Sequence, residues 1–182
     1  MKLLFTGAQG TGKTTILDHF KNDPAYNVIT EVVRNLSKEG VAINEDGDAE
    51  GQEKIFNEYK RLLEADDDKI VVSDRSFIDV LAYTAYLYHH KPSDALADLF
   101  LEQYIYTATY FKEHNDVMVY YFPIEFDLVG DGVRSMNNSF RNEIDTYISM
   151  FANAMVSHEN LVRVSGSVNE RMVQILDSIK TL

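Results

Sequence analysis

The strongest constraint on this chain lies near its start, where Gly7-Ala8-Gln9-Gly10-Thr11-Gly12-Lys13-Thr14 fits the pattern G-x-x-x-x-G-K-[ST]. Glycines at those positions let successive backbone N–H groups turn toward an anion, and the lysine reaches the outer phosphates. Leu3, Leu4 and Phe5 come before it as an apolar run suited to a buried strand. Ile16, Leu17 and Phe20 follow at i, i+1 and i+4, as on one face of a helix. Strand, glycine loop and helix thus arrive in the order a phosphate-binding unit requires. Gly7, Gly10, Thr11, Gly12, Lys13, Thr14 and Thr15 are the expected phosphate-side residues.

The rest of the chain repeats the alternation. Tyr26 to Thr30 reads as a second strand and Val32 to Lys38 as a helical piece, followed by the acidic loop Asn44 to Asp48, which lacks the spacing of a calcium loop. Ile55, Phe56, Tyr59, Leu62 and Leu63 recur at helical spacing before the strand Ile70 to Ser73. Phe77 to Tyr88 is apolar almost all round, as a helix inside the domain or lining a pocket would be, and Asp94 to Lys112 continues as a second long helix. Val117 to Phe122 is a continuous β-rich run, which predicts a strand buried on both faces. A loop from Glu125 to Asn138, a helix over Phe140 to Ser157, a fifth strand over Leu161 to Val164 and a last helix over Val168 to Ile179 complete the reading. Five strands alternating with helices predict a parallel α/β sheet with the phosphate loop at its carboxyl edge.

Composition narrows the partners. The 182 residues suit one domain, without cysteine, and therefore without thiol nucleophiles or disulfides. No apolar run approaches the length of a membrane span, and Met1 leads straight into the first strand, so a soluble, cytoplasmic protein with no membrane partner is expected. With 17 basic against 29 acidic residues, net charge −12, the overall field disfavours nucleic acid while leaving small phosphorylated ligands open. A homodimer also stays open.

Three polar clusters stand beside the phosphate motif. The strand Ile70-Val71-Val72 runs into Ser73-Asp74-Arg75-Ser76, where a carboxylate can hold Mg²⁺ and an arginine can bind phosphate or an acceptor. Glu31 and Arg34, three residues apart, share one side of a helical turn. Glu31 can take a proton from an attacking hydroxyl, hold Mg²⁺, or form a surface ion pair with Arg34. The third cluster is Asp131-Gly132-Val133-Arg134-Ser135 with Arg141, whose arginines can close over a migrating phosphoryl group. Tyr83, Tyr86 and Tyr88 can stack on a ring or simply pack in the core.

Taken together these residues resemble the P-loop nucleoside and nucleotide kinase group. Glu31-Val32-Val33-Arg34 with Asp131-Gly132-Val133-Arg134 is most similar to the small AAA-type ATPase/kinase family related to ribosylnicotinamide kinases. The resemblance implies a P-loop NTPase fold with five parallel strands in the order 2-3-1-4-5 and an arginine-bearing lid over about residues 125–141. It implies an adenine-side loop from Val164 to Asn169, with Gly166, Ser167 and Val168 at the nucleotide. It further implies ATP and Mg²⁺ as cofactors, Lys13 on the β- and γ-phosphates, and Thr14 and Asp74 on the metal. Arg75, Arg134 and Arg141 would steady charge in transfer, and Glu31, Arg34, Arg75 and Tyr83 would face a nucleoside, nucleotide or related small hydroxylated acceptor. A kinase acting on a nucleic-acid 5′ end or hydroxymethylated base, and a nucleotide-dependent regulatory switch, are the competing readings; the first lacks a basic stripe and the second lacks a guanine motif such as N-K-x-D.

Overall fold

Both faces of the sheet's inner strands are buried, so their middle residues are apolar on consecutive positions instead of alternating with polar ones. The computed structural model describes residues 1–65, 67–128, 130 and 135–180. In it β1 (Lys2–Thr6) sends Leu3 and Phe5 into one hydrophobic cluster and Leu4 into another. β4 (Val117–Tyr121) does the same: Val117, Val119 and Tyr121 join Leu4, while Met118 and Tyr120 join Leu3 and Phe5. Side chains that alternate at period two and meet a packed layer on either side mark a parallel sheet covered by helices.

β2 (Tyr26–Ile29), β3 (Ile70–Ser73) and β5 (Leu161–Arg163) complete a five-stranded sheet of order β2-β3-β1-β4-β5, with every pairing parallel. This is the expected order. The chain leaves β1 for the edge at β2, returns through β3, and only then crosses to β4 on the other side. Its winding direction therefore reverses beside the carboxyl end of β1, which is where an open α/β sheet leaves a ligand crevice.

One face is covered by α2 (Val32–Lys38), α3 (Ala49–Glu64), α4 (Phe77–His90), α5 (Asp94–Glu113) and α6 (Asn138–Met155). The other carries α1 (Lys13–Leu17) and α7 (Val168–Lys180), through Ile16, Leu17 and Ile175. Among the described residues no helix is long and apolar enough to cross a membrane.

The element ends differ from the sequence pattern for local reasons. After α1 the N–H groups of His19 and Phe20 bond to Ile16 and Leu17, three residues back, so the helix tightens while still burying Phe20. α6 starts at Asn138, two residues earlier than expected, because the Asn137 side chain accepts from the N–H groups of Ser139 and Phe140. The acidic loop starts a helix: Asn44–Asp46 forms a 3-10 turn and the Asp48 carboxylate caps α3 by accepting from Gly51 N–H at 2.8 Å.

α4 begins with a capping box in which Ser76 Oγ accepts from Ile78 N–H at 3.1 Å and Asp79 accepts from Ser76 N–H at 2.8 Å. The same carboxylate, with no exposed surface, also accepts from Ser76 Oγ at 3.0 Å, Thr6 Oγ1 at 2.7 Å and Gly7 N–H at 3.1 Å. Arg75 lies 3.6 Å from it as an ion pair. Asp79 therefore bolts the end of β1 to the start of α4. Asp79→Asn keeps the shape but turns an amide N–H₂ toward groups that are already donors. We expect a loss of about 3 kcal/mol of stability, read as a lower urea midpoint at unchanged m-value; a loss below about 0.5 kcal/mol would contradict this role.

Candidate active site

The loop that follows β1 is shaped from behind by two buried guanidinium groups. Arg141, on the first turn of α6 and 3% exposed, donates from Nε to the Gln9 carbonyl at 2.9 Å and from its terminal nitrogens to the carbonyls of Gly10 at 3.2 Å and Phe126 at 2.8 Å. Arg171, on the first turn of α7 and 1% exposed, donates to the carbonyls of Thr11 at 2.6 Å and Gly166 at 2.9 Å and to Glu125 Oε2 at 2.6 Å. In a trans peptide the carbonyl of one residue and the N–H of the next point in opposite directions. With the carbonyls of Gln9, Gly10 and Thr11 turned to the arginines, the N–H groups of Gly10, Thr11 and Gly12 face away from them. Gly12, at φ 88°, needs a left-handed backbone that glycine adopts without strain, and an added Cβ there would stand 3.1 Å from the Arg171 guanidinium.

Lys13 is buried. Its ammonium donates to the carbonyls of Gly7 at 2.5 Å and Ala8 at 2.8 Å and to Thr11 Oγ1 at 3.3 Å, so the cation sits in the hollow of its own loop. One open cavity is lined by residues 9–16 of this loop, by residues 31–34, by Asp74 and Arg75, and at its outer end by Phe126, Gly166, Val168 and Arg171. The phosphate motif and the Asp74-Arg75 and Glu31-Arg34 pairs, separate in sequence, thus meet around one space.

The wall opposite the loop is organised by Asp74. Its Oδ1 accepts from the Tyr59 hydroxyl at 3.4 Å, and its Oδ2 accepts from Thr30 Oγ1 at 3.2 Å and Glu31 N–H at 3.4 Å. Burial pushes the Asp74 carboxyl above its ordinary value; the cations Arg75 and Lys13 and the bonds from Thr30 and Glu31 pull it back only in part. Burial, followed by the neighbouring Asp74 charge, raises the Tyr59 phenol well above its usual range, so it remains a donor. Glu31 has φ 63°, a left-handed backbone that is uncommon for a residue with a side chain, and its carboxylate meets Arg34 Nε at 3.2 Å. Thr14 and Asp74 are hard oxygen donors on the same cavity, a set that fits Mg²⁺.

Several expected residues are placed elsewhere. Arg141 does not reach over the cavity as a lid arginine; its guanidinium is bound under the phosphate loop, because the helix carrying it packs directly behind that loop. Arg134 lies outside the described residues. Gly166 and Val168 line the cavity, whereas Ser167 turns to Glu170 as the cap of α7, with Oγ to Oε2 at 2.6 Å. Tyr83 lies beneath Arg75, the guanidinium 5.1 Å from its ring. Tyr86 packs on Phe140 and His90, and Tyr88 stacks on Phe100, so neither joins the site. Asp79, Arg171 and Tyr59 were missed by sequence reasoning. For Asp79 the capping pattern Ser76-x-x-Asp79 was an available signal; for Arg171 and Tyr59 helical spacing gave none.

The chain has the fold of P-loop kinases. It superposes on deoxyadenosine kinase from M. mycoides with the products dCMP and a flexible dCDP bound, with a TM-score of 0.66, 14% identity and all of both chains covered, 100% each. It also superposes on the NadR protein in complex with NR, with a TM-score of 0.76 and 14% identity over 99% of this chain and 50% of that one. For thymidylate kinase from Candida albicans the TM-score is 0.61, with 12% identity over 99% of this chain and 91% of that one. At these identities the likeness is one of fold. No characterised protein matches the chain by sequence. A family model described as an AAA domain matches residues 2–171, a span that takes in the phosphate loop, the opposite wall and Arg171, and the chain belongs to that AAA domain family.

Proposed function

We propose that this protein is a phosphotransferase that moves the γ-phosphoryl group of ATP to a hydroxyl of a nucleoside or a related small hydroxylated molecule. The observation that carries this reading is Glu31. A carboxylate facing a phosphate loop weakens the binding of an anion, so it adds nothing to a simple nucleotide holder. It serves a proton-bearing acceptor, which needs a base within hydrogen-bond reach. The left-handed backbone at Glu31, held by Asp74 and Arg34, is strain of the kind that collects at functional sites.

The chemistry asked of the side chains is positioning and charge. The N–H groups of residues 10–15 cradle the donor phosphates, and the Lys13 ammonium exchanges loop carbonyls for β- and γ-phosphate oxygens. Mg²⁺, when bound, neutralises charge between those oxygens, with Thr14 and Asp74 as the residues that would hold it. Glu31 orients the acceptor hydroxyl and takes its proton. Arg75, on the same wall, steadies negative charge on the group in transfer, and Arg134 keeps its sequence-based assignment as a second cation for that charge. The outer end, at Phe126, Gly166 and Val168, takes the adenine. Deoxyadenosine kinase, which shares this fold, supports a nucleoside acceptor.

ADP release measured with ATP, Mg²⁺ and a panel of deoxyadenosine, thymidine, thymidine monophosphate, nicotinamide riboside and a short oligonucleotide tests the proposal. Transfer to deoxyadenosine, thymidine or nicotinamide riboside is expected; release of ADP only with thymidine monophosphate or the oligonucleotide, or with none of them, would reject it. In the same assay Glu31→Gln should lower acceptor-dependent turnover on the order of 10²-fold or more, with the KM for ATP within about threefold. Normal turnover would return Glu31 to a surface ion pair.

Arg171→Lys separates the loop's scaffold from its chemistry. A lysine cannot span the Thr11 and Gly166 carbonyls and Glu125 at once, so we expect nucleotide affinity to fall roughly tenfold and stability by about 2 kcal/mol. Calorimetric titration with AMP-PNP and urea unfolding read the two effects. Unchanged values in both would remove Arg171 from the support of the loop.

A further inference from the structure

Gln9 occupies a position of the phosphate motif at which the pattern asks for no particular residue. Its main chain is fixed, since its carbonyl accepts from Arg141 Nε at 2.9 Å. Its side chain is fixed too: Oε1 accepts from the Tyr83 hydroxyl at 3.0 Å, across 74 residues of sequence. The residue is only 6% exposed, and its Nε2, fully shielded, has no hydrogen-bond partner among the described residues. A buried amide donor left unpaired costs free energy that an apolar side chain of similar size would not incur. An anchored carboxamide with one unused end is the arrangement expected where a ligand supplies the missing partner.

Its location says which ligand. Gln9 lines the cavity of the phosphate loop, whereas Tyr83 lines a smaller slot beyond it, which shares Val33, Ile43, Asn44 and Arg75 with that cavity. The Gln9–Tyr83 pair therefore stands at the junction of the two spaces. The slot is walled by Val33, Ile43, Ile55 and Val80, with Asn44, Gln52 and Tyr83 as its neutral polar groups. Arg75 at its edge is paired with Asp79 at 3.6 Å and so adds little net charge. Walls of this kind accept the edge of an uncharged ring that reaches in from the larger cavity and penalise a phosphate.

We infer that Gln9, oriented by Tyr83, is a specificity-determining residue that donates its side-chain N–H to an oxygen of a neutral, hydroxylated ring compound held in the phosphate-loop cavity where it opens toward the inner slot. This rests on the phosphotransferase reading for the purpose of the slot, but the contact itself is one of binding. The backbone of the loop holds the donor nucleotide and the side chain of the same residue reads the acceptor.

The test is calorimetric titration of deoxyadenosine, thymidine and nicotinamide riboside into protein saturated with AMP-PNP and Mg²⁺, for wild type, Gln9→Leu and Tyr83→Phe. Each variant should weaken the tightest-binding probe about tenfold, the size of one neutral hydrogen bond. AMP-PNP affinity should stay within twofold. Gln9→Leu should melt no lower than wild type, since it removes an unsatisfied donor, so weaker probe binding cannot be put down to unfolding. Probe affinity within threefold of wild type in both variants, an equal loss for AMP-PNP, or no wild-type binding of any probe would each overturn the inference. The two readings fail separately. Binding that depends on Gln9 without ADP release leaves this assignment standing and removes the phosphotransferase, while ADP release that Gln9→Leu leaves unchanged, with probe affinity also unchanged, does the reverse.

Discussion

Asp79 has no exposed surface, and its two carboxylate oxygens accept hydrogen bonds from the last residue of β1, the first residue of the phosphate loop and the cap of α4. A buried charge needs such partners, and two of them, Thr6 and Gly7, stand more than seventy residues from Asp79 in sequence. The consequence is geometric. The loop can leave the sheet in only one direction, and α4 must begin beside it, which brings Arg75 and the end of β3 against the cavity. Gly7 is held closely enough that an added Cβ would stand 2.5 Å from the Phe122 carbonyl, so the exit from β1 has little room to vary.

Beyond that point the site is a matter of orienting dipoles inside an acidic protein. A net charge of −12 repels an anion at long range, so binding has to come from local, fixed groups. Arg141 and Arg171 contribute by fastening loop carbonyls, which turns the N–H groups of the same peptides the other way. The Arg141 charge lies behind the loop and the Arg171 guanidinium also borders the cavity, and both favour an anion there. On the opposite wall, Tyr59, Thr30 and the Glu31 N–H converge on Asp74 and position its carboxylate before any ligand arrives, while Arg34 pairs with the Glu31 carboxylate. Preorganisation of this kind is where phosphoryl transfer obtains its rate, since bonds between protein and substrate are not made.

The parts legible in the sequence were those with a local signature. Short apolar, β-rich runs predicted strands that the structure contains, and the glycine pattern placed the loop. The order of the sheet came from resemblance, because residues within one strand do not say which strand lies alongside. Arginine roles were the hardest to read. Arg141 was expected over a phosphate and lies under the loop, while Arg171, in the last predicted helix and assigned no role there, is among the most buried side chains. A guanidinium that reaches three carbonyls has the same sequence appearance as one on the surface, and only tertiary packing separates them. Tyr59 was similarly hidden, since its ring belongs to the core stripe of α3 and only its hydroxyl belongs to the site.

The account turns on the claim that the backbone N–H groups of residues 10–15 hold the donor phosphates. Two-dimensional ¹⁵N–¹H spectra recorded while AMP-PNP and Mg²⁺ are titrated into the protein test this directly, because an amide proton that bonds to a phosphate oxygen moves downfield. The account predicts that the amides of Gly10, Thr11, Gly12, Lys13, Thr14 and Thr15 shift together with one saturable affinity. Shifts confined to other surfaces, with these six amides unmoved at saturation, would contradict it.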